Sequence, residues 1–175
     1  MVGLDVAPAP VPFEEVYRAH LPRVYLFCLS QVRNAADAED IAADSFASAF
    51  AAYQRTSPPA DRVLAWLLRI ARNAVIDHYR RAGRRATLHA VLDRHAEREV
   101  PPDVESAVLR NDELRAVLVT MRSLRRRDRQ LVGLRVAADL SYAEIGAVVG
   151  LSEHAATVAT RRAVTRLRKL CEGGP

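Results

Sequence analysis

Apolar residues recur at three- and four-residue steps along nearly the whole of this chain, and no stretch alternates in the β-branched-rich manner of a strand. That periodicity selects an all-α fold. The chain has 175 residues, half of them apolar, enough to fill one core of ordinary size or two small ones.

Interruptions in the pattern divide the chain. A first helix is expected over about residues 13–32, kinked or split at Pro22, and a second from near Asn34 to Tyr53, closed by the polar loop with Ser57-Pro58-Pro59. A third, over about 62–81, sets Val63, Leu67, Ile70 and Ala74 on one face with Trp66 beside them. From Ala82 the pattern weakens into Gly83, mixed charge and Val100-Pro101-Pro102-Asp103, which reads as a linker with at most a helical turn. Further helices are expected through Leu114, Val117 and Leu118, and through Leu131, Leu134 and Val136. The expected organisation is therefore two small helical domains. A disordered leader covers residues 1–12, a first domain 13–85, a linker 86–104, a second domain 105–171 and a tail 172–175.

The second domain carries its own punctuation. Ser141-Tyr142-Ala143-Glu144 has the form of a capping box, opening a short helix with Ile145, Val148 and Val149. Gly150 can take the left-handed conformation that ends that helix, and Ser152 can cap the next. The last helix places Ala156, Ala159, Ala163, Leu167 and Leu170 on one stripe, and His154, Thr157, Arg161, Thr165 and Arg168 on another. A helix-turn-helix with a core face and a DNA-facing face has this pattern, and so does a plain helical hairpin with a solvated stripe.

The net charge is +5 and the pI near 9.8, which suits a polyanionic partner. Its distribution is uneven: residues 1–62 hold 8 acids and 5 bases, residues 63–98 hold 3 and 8, and residues 99–175 hold 10 and 13. In the third helix Arg69, Arg72, Asn73, Ile76 and Arg80 share one arc, extended by Arg81, Arg84 and Arg85. Arginines so placed can neutralise phosphates, and an asparagine among them can pair with a base edge. Trp66, His78 and Tyr79 can stack on unpaired bases, while a tryptophan beside an apolar face is more often core. Asp37, Glu39, Asp40 and Asp44 open the second helix, where the dipole favours carboxylates whatever their function.

Several classes are excluded. There is no Gly-rich phosphate loop, nucleophile elbow or metal-binding His spacing, so neither an enzyme nor a cofactor is expected. The Asp37, Asp40 and Asp44 group lacks the loop geometry and histidine partner of a metal site. Cys28 and Cys171 indicate neither a zinc site nor a disulfide framework and fit a reducing cytoplasm. No apolar run approaches a membrane span, and the first residues lack the basic and apolar regions of a signal peptide.

Three ordered motifs carry a family resemblance. Phe13-Glu14-Glu15-Val16-Tyr17-Arg18-Ala19-His20, then Asp37-Ala38-Glu39-Asp40-Ile41 with Phe46, then Ala65-Trp66-Leu67-Leu68-Arg69-Ile70-Ala71-Arg72-Asn73 with Asp77 and Arg80, resemble region two of extracytoplasmic-function sigma factors. Leu140-Ser141-Tyr142-Ala143-Glu144-Ile145, Gly150-Leu151-Ser152-Glu153 and Arg166-Leu167-Arg168 are similar to region four. The resemblance implies a transcription initiation factor whose partners are core RNA polymerase, through its largest-subunit clamp and its flap, and promoter DNA. An anti-sigma antagonist is a further partner common in the family. It assigns Asp37, Glu39, Asp40 and Asp44 to polymerase, with Asp40 foremost. Trp66, Arg69, Arg72, Asn73, Asp77, Arg80 and Arg81 go to the opened minus-ten element, and Ser152, His154, Thr157, Arg161 and Arg162 to the minus-thirty-five element.

Departures from the family pattern cluster in the second domain. The habitual Gly-Thr-Val-Lys-Ser-Arg stretch becomes His154-Ala155-Ala156-Thr157-Val158-Ala159, so Thr157 and Ala159 stand where bases are usual. Leu124-Arg125-Arg126-Arg127-Asp128 replaces a Leu-Pro, and Ala43-Asp44 a Gln-Glu. Weakened upstream recognition, or an accessory activator holding the second domain on DNA, is the expectation. The alternatives are a helix-turn-helix regulator acting without polymerase, and a sigma-like protein that binds polymerase or an anti-sigma factor without initiating transcription.

Overall fold

The computed structural model describes residues 11–89 and 112–173. Helix α1 spans Phe13–Gln31, α2 Ala35–Thr56 and α3 Val63–His89, the last entered through a 3₁₀ turn at Ala60–Arg62. Helices α4 (Asp112–Met121) and α5 (Arg126–Val132) follow, the latter widening into a π-helical turn at Gly133–Ala137; α6 (Tyr142–Val149) and α7 (Glu153–Glu172) complete the described chain. The fold is all-α, with no strand among the described residues.

Helix α1 is continuous through Pro22, so the expected split does not occur. Proline inside a helix removes a hydrogen bond and crowds the preceding turn, at about 3 kcal/mol. Val16 before it and Val24, Phe27 and Cys28 after it are all buried in one core, and burial at roughly 1.5–3 kcal/mol per large side chain exceeds that cost.

Helix α2 starts from Asn34, whose side-chain oxygen accepts the Asp37 amide at 2.7 Å, and ends on Ser57 in the left-handed region at φ 38°. Its buried residues Ala38, Ile41, Ala42, Ser45, Phe46, Ala49 and Tyr53 form the stripe that meets α1 and α3. Phe50 lies off that stripe and is 66% exposed.

The third helix is longer than its sequence pattern suggests. It passes through Gly83 to His89, beyond the end expected for the first domain at residue 85 and into the expected linker. One glycine costs only about 1 kcal/mol within a helix, too little to stop one rich in arginine and alanine. The rest of the linker, with the start expected for the second domain at Glu105, lies outside the described residues. Of the leader expected over residues 1–12, Val11 is engaged: its carbonyl accepts the Tyr53 hydroxyl at 2.9 Å.

The capping box closes as expected. Ser141 Oγ accepts the Glu144 amide at 3.3 Å, and Glu144 Oε2 accepts the Ser141 amide at 2.8 Å. Gly150 ends α6 at φ 75°, and Ser152 Oγ accepts the Ala155 amide at the start of α7. Ala156, Thr160, Ala163 and Leu167 form the buried face of α7, whereas Leu170, expected on that face, is 41% exposed. The helix has run past the body of the domain by then. Val136 is also exposed, because the π-helical turn rotates it outward while Leu134 stays fully buried.

The two halves pack directly on each other and share one continuous core. The π-helical turn and α5 lie on α1, and α6 lies on α3. Arg23 donates from Nε to the Ala138 carbonyl at 2.9 Å and from Nη2 to the Asp139 carbonyl at 3.1 Å. Gln31 Nε2 reaches the Arg129 carbonyl at 3.2 Å, and Arg122 the Arg33 carbonyl at 2.8 Å. The Tyr79 hydroxyl donates to the Gln31 carbonyl and accepts from Arg129 at 3.3 Å.

Candidate nucleic-acid and protein interface

The residues singled out on α3 spread over several sides of the helix. Trp66, half-buried, turns towards the end of α2, its ring 6.1 Å from Tyr53. Asn73, Asp77 and Arg81 line a groove of about 860 Å³ between α3 and α2. Arg69 and Arg80 are exposed, Arg80 within 3.6 Å of Asp77. Arg72 lies on another side, against the second domain.

Across the groove stand Asp37, Asp40 and Asp44 of α2. Candidate polymerase contacts and candidate promoter contacts therefore share one cleft. Four carboxylates line it, those of Asp37, Asp40, Asp44 and Asp77, against the single guanidinium of Arg81. His78 Nε2 approaches Asp37 at 3.6 Å and ties the two helices together, while Asp40 and Asp44 are exposed. Glu39 is half-buried and does not line the groove. A cleft with that charge repels a phosphate backbone and attracts a basic protein surface.

Arg72 is the constrained member of the set. Its Nε is buried without a hydrogen-bond partner, and burial, then the neighbouring Arg126, lowers its pKa from the usual guanidinium range. Arg72, Ile76, Arg126, Arg127, Gln130 and Leu131 are among the residues around a cleft of about 500 Å³ between the domains, with no carboxylate on its lining. Arg126 also stacks on the Tyr79 ring at 4.9 Å. Sequence reading missed Arg23, Gln31, Arg126, Arg129 and Gly133 as interdomain residues, since no local motif marks contacts a hundred residues apart.

The second domain presents Ser152, His154, Arg161 and Arg162 to solvent at the start and outer face of α7. Thr157 is half-buried and its hydroxyl donates to the Glu153 carbonyl at 2.8 Å, so its proton is committed to the backbone. Arg161 lies over the Tyr142 ring at 5.8 Å, with Arg135 at 5.2 Å from the same ring. Arg166 joins α7 to α5 through Asp128 at 2.7 Å. Among the described residues no group of three or more His, Cys, Asp or Glu side chains is placed to hold a metal, and no helix is long and apolar enough to cross a membrane.

An acidic groove and an arginine-bearing helix in one domain, followed by a helix-turn-helix, fit the sigma-factor class that the sequence resembles. Residues 16–85 match sigma-70 region 2, and residues 120–169 match sigma-70 region 4. The chain is 32% identical over 158 residues to the RNA polymerase sigma factor CarQ of Myxococcus xanthus, covering 90% of this chain and 88% of that protein. It is 31% identical to the ECF RNA polymerase sigma factor BldN of Streptomyces coelicolor (strain ATCC BAA-471 / A3(2) / M145), covering 90% of this chain and 60% of that one. The fold resembles the sigma factor RpoE, solved in complex with the anti-sigma factor NepR from Bartonella quintana, with TM-score 0.72, 23% identity, and coverage of 93% and 98% of the two chains. The chain belongs to the extracytoplasmic-function sigma factors of the sigma-70 family. It acts in transcription initiation and binds core RNA polymerase and promoter DNA. Sigma factors are non-catalytic regulators of transcription.

Proposed function

We propose a division of labour within this sigma factor, carried by one observation: the acidic α2–α3 groove and the exposed arginines of α3 lie on adjacent sides of one domain. Asp40 and Asp44, with Asp37 and Glu39 beside them, dock on a basic surface of the polymerase clamp. Arg69 and Arg80 hold the backbone of the opened minus-ten strand, with Arg72 and Arg81 at its margins, and Asn73 and Asp77 sit at the edge of the groove where a displaced base would arrive. Trp66 supports that helix from the α2 side. Held unstacked on the protein, a base no longer opposes strand opening, and melting proceeds without a nucleotide-driven step.

Ser152, His154, Thr157, Arg161 and Arg162 form the upstream contact surface. With Thr157 turned to the backbone, that contact rests mainly on the two arginines and on phosphate neutralisation, which an accessory activator bound beside it would strengthen. The protein works in the cytoplasm as a non-enzymatic factor without a cofactor. An anti-sigma antagonist fits it, since a structure sharing its fold is a sigma factor held by one.

Co-elution of the purified protein with bacterial core polymerase, followed by transcription from genomic fragments, tests the assignment. Wild type is expected to co-elute and give new transcript starts, and Asp40→Arg to do neither. Co-elution undisturbed by Asp40→Arg would overturn the assignment of the groove to polymerase, and binding without transcript starts would support a sequestering role.

A further inference from the structure

Three guanidiniums converge on the cleft bordered by α3, α5 and α6 with nothing to neutralise them. Arg72 comes from α3, and Arg126 and Arg127 from the first turn of α5. None of the three forms an ion pair among the described residues, and no carboxylate lines the cleft. Arg72 Nε is buried without a hydrogen-bond partner. Like charges gathered at partial burial repel one another and lose hydration, so the arrangement costs free energy until an anion enters.

The rest of the wall is of a different kind. Ile76, Leu131, Val149 and Leu151 are apolar, and Gln130 brings a side-chain amide that makes no hydrogen bond among the described residues. Arg126 is seated in advance, its guanidinium 4.9 Å from the centre of the Tyr79 ring, whose hydroxyl accepts from Arg129 at 3.3 Å. Arginine pairs two N–H groups with the oxygens of a phosphate. An apolar wall takes a flat apolar body, and an amide with donor and acceptor side by side pairs with the edge of a nucleobase. At about 500 Å³ the cleft falls in the range of small-molecule sites, roughly 300–1,000 Å³.

We propose that this cleft is a binding site for a nucleoside polyphosphate, with the phosphates on Arg72, Arg126 and Arg127 and the base on the apolar wall beside Gln130. A free inorganic polyphosphate shares the charge but leaves that wall unused. Single-stranded DNA spaces its charges along a backbone, whereas a polyphosphate chain gathers them at one point, where the three guanidiniums meet. The site rests on the geometry of the cleft and not on the assignment of Arg72 to promoter DNA.

Isothermal titration of the full chain with ATP, GTP and inorganic triphosphate in magnesium-free buffer tests the site. One nucleotide per chain is expected, held more tightly than inorganic triphosphate. Arg72→Gln and Arg127→Gln are each expected to weaken it by about tenfold or more, the scale of one lost hydrogen bond to a charged group. Arg125→Gln, exposed beside them but off the lining, should leave the affinity unchanged. Thermal melts give a second reading, because a ligand that binds only the folded chain raises Tm. Nucleotide should raise it for wild type and Arg125→Gln and barely move it for the two cleft variants. No binding, or binding that both cleft variants retain in full, would overturn the site. Inorganic triphosphate bound as tightly as either nucleotide would overturn the place given to the base. A short single-stranded DNA that binds more tightly than the nucleotides, and loses as much affinity on Arg127→Gln, would give the cleft to DNA instead. Arg72→Gln weakening DNA but not nucleotide would overturn the site and leave the assignment of that residue to DNA standing.

Discussion

Asp37 faces His78 across the groove between α2 and α3, its Oδ2 3.6 Å from Nε2, and the same carboxylate accepts the Asn34 amide at 2.9 Å. One acid of the groove is therefore occupied within the domain. Asp40, one turn along, is exposed and has no hydrogen-bond or ion-pair partner among the described residues.

The two acids should accordingly separate in experiment. Asp40→Asn is expected to weaken binding to core polymerase by about tenfold or more, the scale of a lost interfacial charge pair. Asp37→Asn should weaken it less and chiefly lower stability, because it disturbs the start of α2. Fluorescence anisotropy with labelled protein and core polymerase, beside thermal melts of both variants, reads the two effects. Equal losses of affinity would contradict the distinction.

Ser141 and Glu144 hold the turn before α6 reciprocally, each satisfying an amide of the other. Ser141→Ala is expected to cost about 1 kcal/mol. For a chain whose two halves melt as one core that lowers Tm by roughly 2–4 °C. Glu144→Ala should cost less, and the double variant less than the sum, because both singles break one motif. Calorimetric melts check the non-additivity.

That motif was legible because its residues lie within ten consecutive positions and each signal is local: a serine cap, a glutamate, a left-handed glycine. The same holds for the Asn34 and Ser152 caps. Pro22 pointed to a break because its cost is local, while its compensation, the burial of Val16 and Val24 in one core, is tertiary. Gly83 misled for the converse reason, since a helix-breaking residue was given more weight than one position carries. The arc of Arg69, Arg72, Asn73 and Arg80 was visible as a helical stripe. Periodicity could not say which neighbour each side chain meets, so Arg72 against the second domain and Asn73 over the acidic groove had to come from the structure. The role of Gly133 had no sequence signal.

Cys28 is fully buried, and burial pushes its thiol up to about 12, while Cys171 is exposed. A thiol-specific reagent at neutral pH should therefore label Cys171 alone in the native protein, and both cysteines in denaturant. Because the folded value lies above the ordinary 9.0, the contribution of Cys28 to stability is full below pH 9 and is lost as pH rises towards 12. Near pH 10 the loss from this group is on the order of 1 kcal/mol. Cys28→Ala should lack that component of the alkaline slope, and chemical denaturation between pH 8 and pH 10 at roughly even steps would reveal it.

His20 acts at the other end of the scale. It is half-buried with Nδ1 unpartnered, and burial, then the nearby Arg23, lowers its pKa below 6.5. A lowered histidine favours the neutral native form, so its contribution is present above 6.5 and is lost as pH falls through that value to the folded one. Native-state stability should decline on acidification through this window, less steeply in His20→Gln than in wild type. Identical slopes in the two proteins would remove His20 as a cause.

The outer face of α7 supports a prediction about salt. Arg161 is held over Tyr142, whereas Arg162 is exposed and has no partner among the described residues, so one guanidinium is positioned in advance and the other must be ordered on binding. If both neutralise phosphates, Arg161→Ala and Arg162→Ala should each flatten the plot of log affinity against log salt by about 0.9 for duplex DNA. Tyr142→Leu keeps the charge count and removes only the aromatic seat. It should therefore weaken binding with the salt slope unchanged, the loss coming from a guanidinium that must now be fixed at the moment of contact. Titrations of the three variants on one duplex at several salt concentrations separate the cases. A slope lowered by Tyr142→Leu would mean that the ring positions more of the DNA-binding charge than Arg161 alone, with Arg135, on the same ring, the next residue to replace.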